Sequence, residues 1–271
     1  YLPSVAVLYS LRHLPKSRGQ DRRPLVAFAD PVFETSASAA GEGERGEQWA
    51  SRGNLLRRLQ QRGALRGASL PRLPETAEEA RTAVRVLGAS EQDLYLRERA
   101  TEYNVKHQPL ARYRYLLFAT HGFLAGEFGG RIQPALALSF VGDPQNDGLL
   151  EMGEILGLNL DADLVTLSAC NTGRGTGDDR GEGFAGLTRS FMYAGAESLA
   201  VTLWSVESRS AQRLAEAFYR GLPRGSRAQA LAAAKREFIS QAYSIKLDEQ
   251  HQVSSAHPFF WAPFILVGEG R

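Results

Sequence analysis

The chain has one cysteine, Cys170, in 271 residues. A lone thiol closes no internal disulfide, which excludes a disulfide scaffold and suits a reducing, cytoplasmic compartment. It also cannot supply a cysteine-rich zinc set. No His-x-x-x-His spacing replaces it, so neither a metal nor another cofactor is expected. Long apolar runs are missing as well. The longest, Phe259 to Val267, contains Pro263 and falls short of the ~18 residues that span a bilayer, so no membrane contact is expected. No secretory leader is visible. Charge of one sign is not in excess: 32 Lys and Arg face 30 Asp and Glu, and the net charge of +2 gives no electrostatic case for nucleic acid. The locally basic stretch from Arg52 to Arg66 reads as a solvated face or loop.

What is present is ordinary globular material. Hydrophobic residues make up 43% and charged residues 23%, enough apolar content to bury a core. We read residues 1–271 as one domain. Its first half, 1–108, carries a Ser-, Ala-, Gly- and Glu-rich insertion at about 35–53, and its second half is 109–271.

Short apolar runs alternate with helical patterns along most of the chain. Pro24 to Asp30 reads as a buried strand stopped by Asp30-Pro31. Thr76 and Glu79 have the spacing of a capping box, opening a helix with Ala80, Ala83, Val84 and Leu87 on its apolar face and Gly88 at its end. Further strands are expected at Tyr113 to Thr120, Asp163 to Ala169, Ser198 to Trp204 and within Pro258 to Gly268. Helices are expected at Phe184 to Ala194, Ser208 to Gly221 and Ser226 to Tyr243. This alternation argues for an α/β fold with a mainly parallel sheet covered on both faces.

Two strand ends carry chemistry. Tyr115 to Thr120 runs into His121-Gly122, and Leu164 to Ala169 runs into Cys170-Asn171-Thr172-Gly173, about 50 residues later. If the two strands are neighbours in a parallel sheet, an imidazole and a thiol meet at its carboxyl edge, where open α/β sheets bind ligands. The competing reading is that Cys170 is a small buried hydrophobe and His121-Gly122 a strand-ending turn. The other histidines, His13, His107, His251 and His257, show no comparable placement.

Two G-x-G-x-x-G runs occur, Gly41 to Gly46 and Gly181 to Gly186. The first does not follow a strand. The second opens a helix but is separated from its strand by a long loop, whereas a dinucleotide fingerprint needs a tight strand-to-helix turn. Neither run continues into Gly-Lys-Ser/Thr, which excludes a P-loop.

Five motifs in order carry a family resemblance. They are Ala119-Thr120-His121-Gly122; Ser168-Ala169-Cys170-Asn171-Thr172-Gly173; Gly181-Glu182-Gly183 with the helix that ends at Ala194-Gly195-Ala196; Thr202-Leu203-Trp204-Ser205-Val206; and His257-Pro258-Phe259-Phe260-Trp261-Ala262-Pro263-Phe264. Together they resemble the CHAT family of caspase-like cysteine proteases, related to separase and often fused to tetratricopeptide repeats. One place departs: Glu207-Ser208 stands where the family commonly has an acidic pair.

The resemblance implies a caspase-like, mainly parallel six-stranded sheet with helices on both faces. It implies an endopeptidase acting on a polypeptide substrate, with Cys170 as nucleophile and His121 as base, under the control of a repeat domain or regulatory protein. Backbone N–H groups of Gly122 and Cys170 are the natural oxyanion donors, each worth ~3 kcal/mol to a transition state. No Asp is required in such a dyad, because in caspase-like sites backbone often holds the second imidazole nitrogen. The strand end at Asp30 resembles a wall of the S1 pocket, where a carboxylate would favour Arg or Lys before the scissile bond. Asp30-Pro31 as a plain turn is the alternative, and Asp147 and Glu207 are the other wall residues considered. Two other functions stay open: a catalytically silent interaction module of the same fold, and a nucleotide-binding α/β protein.

Overall fold

The computed structural model describes residues 21–33, 70–123, 133–139, 146–168, 180–204, 206–246 and 251–271. The expected insertion at about 35–53 and the loop that begins at Gly173 fall outside these, as does Cys170.

Strand β1 is Arg23–Ala29, and β2 is Leu94–Leu96. Between them runs helix α1, Pro74–Leu87. A short helix α2, Glu102–His107, leads to β3, Tyr113–Ala119. Three short strands follow, β4 (Gly122–Phe123), β5 (Ala135–Ala137) and β6 (Leu149–Glu151), then helix α3, Met152–Ile155. The chain continues through β7 (Leu164–Leu167), α4 (Arg180–Tyr193), β8 (Ser198–Thr202), α5 (Ser208–Gly221) and α6 (Arg227–Ser240). It closes with the β9–β10 hairpin, Ser244–Lys246 and Gln252–Ser254, and with β11, Phe264–Gly268.

The main sheet has six strands in the order β11-β8-β7-β3-β1-β2. All neighbours are parallel except the edge pair β11–β8. The expected mainly parallel six-stranded α/β sheet is therefore what the chain forms. The order also locates a site. From β1 the chain moves to β2 on one side, then crosses over to β3 on the other. Such a reversal opens a crevice outside the carboxyl ends of β1 and β3.

Period-two alternation divides the side chains of each central strand between two cores. Leu25, Ala27, Ala29, Leu117 and Ala119 pack with Ala80, Ala83 and Val84 of α1, Leu214 and Phe218 of α5, and Leu231 and Ala234 of α6. Val26, Phe28, Leu116, Phe118, Val165 and Leu167 pack with Val105 of α2, Ile155 of α3, and Leu187 and Phe191 of α4. Phe28 stacks on Tyr95 and Phe118, and Phe118 meets Phe191 at 5.4 Å between ring centroids. Truncating so buried a ring to alanine costs about 3–5 kcal/mol.

Two local expectations are corrected. The capping box at Thr76 and Glu79 does not form. Helix α1 begins earlier, with Pro74 at its first position, where a missing N–H costs nothing. Thr76 instead accepts a hydrogen bond from the Asp30 amide, 2.9 Å away, and Glu79 turns into the interior. Helix α4 also begins earlier than expected, at Arg180, so the glycine run Gly181 to Gly186 is helical. The tight phosphate-binding turn of a dinucleotide site is therefore not formed there. Gly88 does end α1, in the left-handed conformation at φ 65°.

Candidate active site

The strand register lines up the edge that matters. Ala29 pairs with Ala119, Phe118 with Leu167, and Leu167 with Val201. Asp30, Thr120-His121, Ser168 and Leu203 thus leave the sheet at one carboxyl edge. His121 stands over the crevice beside β1, and β7, whose chain runs on to Cys170, is the next strand on its other side.

His121 is held from both ends. Its carbonyl accepts from the Ala137 amide at 2.9 Å, Gly122 pairs with Leu136 in the small β4-β5-β6 sheet, and the Thr120 hydroxyl donates to the Ala137 carbonyl. The ring is buried, with Phe33 tilted against it at 5.5 Å. Its Nε2 lies 2.7 Å from the Pro71 carbonyl oxygen. A carbonyl can only accept, so Nε2 carries the proton, and in the neutral ring Nδ1 keeps the lone pair. Among the described residues Nδ1 has no hydrogen-bond partner. Burial pulls the imidazole pKa below its ordinary value, against the opposing pull of the Pro71 carbonyl and Glu75. The downward direction favours the neutral ring.

Pro71 is itself anchored. Its neighbour Arg72 grips Asp30 with two hydrogen bonds, Nε to Oδ1 at 2.7 Å and an Nη to Oδ2 at 3.2 Å. Asp30 is buried and sits at φ 48°, an unusual conformation for a non-glycine residue. The segment entering α1 is thus tied to the end of β1 through Asp30 and to the end of β3 through His121.

This pairing changes the reading of Asp30. It lies at the expected edge, but a cationic substrate side chain could reach its carboxylate only by competing with Arg72. Asp147 accepts from the Leu149 amide at 3.1 Å and shapes the turn into β6. Glu207 caps α5, accepting from the amides of Arg209 and Ser210 and from the hydroxyls of Ser210 and Tyr243. Burial pushes its pKa up, but these donors, the Ser210 hydroxyl foremost, hold the carboxylate below its ordinary value. All three sequence-based wall residues therefore have partners within the chain.

Two family motifs meet one strand beyond β7. β8 and β11 pair side by side, and the Trp204 indole donates to the Phe259 carbonyl at 3.0 Å. Leu203, Trp204 and Phe259 are exposed there, an apolar shelf on the same molecular edge.

Sequence reasoning missed three contributors: the Pro71 carbonyl, Arg72 and the buried Glu79. Glu79 carried a readable signal. It lies next to Ala80 and four residues before Ala83, on the stripe that α1 turns to the sheet. The other two had none. Among the described residues, no three His, Cys, Asp or Glu side chains form a metal-ligand set, and no helix is long and apolar enough to cross a membrane.

A parallel sheet with one antiparallel edge, helices on both faces and a buried histidine at the crevice define a caspase-like α/β protein. The chain belongs to the CHAT domain family, whose profile matches residues 1–269. The family is related to the caspase-like proteases. Tetratricopeptide repeat protein 28 of Mus musculus is 32% identical over 127 residues, and that of Homo sapiens 29% over 125. Each alignment covers 46% of this chain and only 5% of the relative, so the chain matches a small part of much longer proteins.

Proposed function

We propose that this chain is a cysteine endopeptidase with Cys170 as nucleophile and His121 as general base. The observation that carries the reading is the His121 ring. It is buried at the crevice, its Nε2–H is given to the Pro71 carbonyl, and Nδ1 is left as a basic nitrogen. A backbone carbonyl does here what the Asp of a triad does, fixing the tautomer and the ring plane.

The chemistry balances with these groups alone. Nδ1 takes the Cys170 proton as sulfur attacks the scissile carbonyl carbon. The oxyanion is received by the amides of Gly122 and Cys170. The intermediate collapses as the C–N bond breaks, and the amine leaves with the proton from Nδ1. A thioester remains. Water then attacks it, giving its proton to Nδ1, which returns it to the departing sulfur as the acid is released. The apolar shelf at Leu203, Trp204 and Phe259 suits substrate residues flanking the scissile bond.

Regulation is proposed to come from a repeat region, since the relatives are named for tetratricopeptide repeats. That naming also favours the second reading, a catalytically silent interaction module. A peptide electrophile separates the two. Wild type should gain one covalent adduct by intact mass, with or without added repeat region. Cys170→Ala should gain none. Failure of wild type to react under both conditions would support the silent module.

A further inference from the structure

We propose that Glu79 is a positioning residue for the nucleophile, holding Ser168 and through it the strand end that delivers Cys170. The proposal rests on the dyad reading above. The Glu79 side chain leaves α1 and enters the core beneath the carboxyl edge. Its Oε2 accepts from the Ser168 hydroxyl at 2.7 Å, and its Oε1 faces the Tyr219 hydroxyl of α5 at 3.4 Å. Ser168 is the residue after β7 has ended, and its amide donates to the Phe118 carbonyl of β3 at 2.9 Å. Cys170 is two positions further along the chain, with Ala169 between. Two extended residues span at most about 7 Å, so the Ser168 anchor constrains where the thiol can lie.

The setting is unusual for a carboxylate. It faces a small cavity of about 20 Å³ whose walls include Thr166, Val201, Leu214, Phe218 and Phe264. From α5 it meets Tyr219, and from the residue just past β7 it meets Ser168. Among the described residues no cation faces it. Burial raises its pKa to about 7, with Ser168 and Tyr219 pulling the other way. A buried, unpaired acid is costly to keep if all it does is clamp a helix to a sheet, because a well-packed apolar side chain can do that. A carboxylate does add a strong, directional acceptor for one hydroxyl at the strand end.

The test uses the single cysteine. Iodoacetamide reports on Cys170 alone, whether or not a substrate is known. Ser168→Ala and Glu79→Ala should slow alkylation and peptide turnover about tenfold to a hundredfold, acting on kcat more than KM, as expected for a misplaced reacting group. Glu79→Gln keeps an acceptor for Ser168 and should restore most of the rate, while losing any inflection near pH 7 in the alkylation profile. Ser168 is only part-buried, so Ser168→Ala decides the matter if Glu79→Ala fails to fold. A wild-type alkylation rate and pH profile in Ser168→Ala would overturn the proposal. Cleavage surviving in Cys170→Ala would overturn the dyad instead, and the two failures are read from different variants.

Discussion

The Nε2 of His121 hydrogen-bonds the carbonyl of Pro71, 50 residues earlier in the chain, at 2.7 Å. That one contact decides which ring nitrogen carries the proton and which keeps its lone pair. In protein labelled with ¹⁵N-histidine, and with Cys170→Ala to remove the thiol, the His121 Nε2 should resonate in the protonated range and Nδ1 in the unprotonated range at pH 7.5. The opposite assignment would reverse the proposed proton path. His121→Ala should abolish cleavage while leaving the far-ultraviolet circular dichroism intact.

The Asp30–Arg72 pair should matter to catalysis without touching substrate. Arg72→Ala removes the guanidinium partner of a buried carboxylate and should lower the urea midpoint modestly, since Arg72 is itself 41% exposed. It also frees the Pro71 segment, so kcat should fall more than KM rises. A P1-varied peptide library checks the competing role for Asp30. Preference for Arg or Lys that vanishes in Asp30→Asn would place its carboxylate in the pocket after all.

Glu79 gives a pH dependence with a definite sign. Its folded pKa of about 7 lies above the ordinary 4.5, so the folded state binds more protons between those values. Stability from this group is fully present below about pH 4.5 and is lost as pH rises through 7, on the order of 3 kcal/mol in all. Glu102, also raised to about 7 by burial, adds to the same trend. Glu79→Gln should therefore lose less Tm than wild type between pH 5 and pH 8. Parallel Tm curves for the two proteins would contradict the buried-acid assignment.

Gly195 should not tolerate a side chain. It turns the chain from α4 into β8 at φ 119°, and a Cβ there would stand 2.0 Å from the Leu160 carbonyl oxygen. Gly195→Ala is expected to cost more than about 4 kcal/mol, seen as a shifted urea midpoint or as failure to fold.

The main strands and most helices were legible because their signals are local, whereas the six-stranded arrangement was implied by the family resemblance. Leu25 to Ala29 and Leu116 to Phe118 alternate between two apolar faces, and both faces being apolar already says that the sheet is covered twice. His121 at the close of one strand was legible for the same reason. Periodicity tells which side of α1 is buried, but not what that side meets. Thr76 and Glu79 have the spacing of a local cap, and only the crossover that lays α1 against β1 and α5 sends them to Asp30, Ser168 and Tyr219 instead. The same crossover brings Pro71 over His121 and Arg72 onto Asp30. A hydrogen bond or ion pair depends on ångström distances between groups far apart in the chain. Residue type and spacing carry that information only after the sheet order has placed the strand ends side by side.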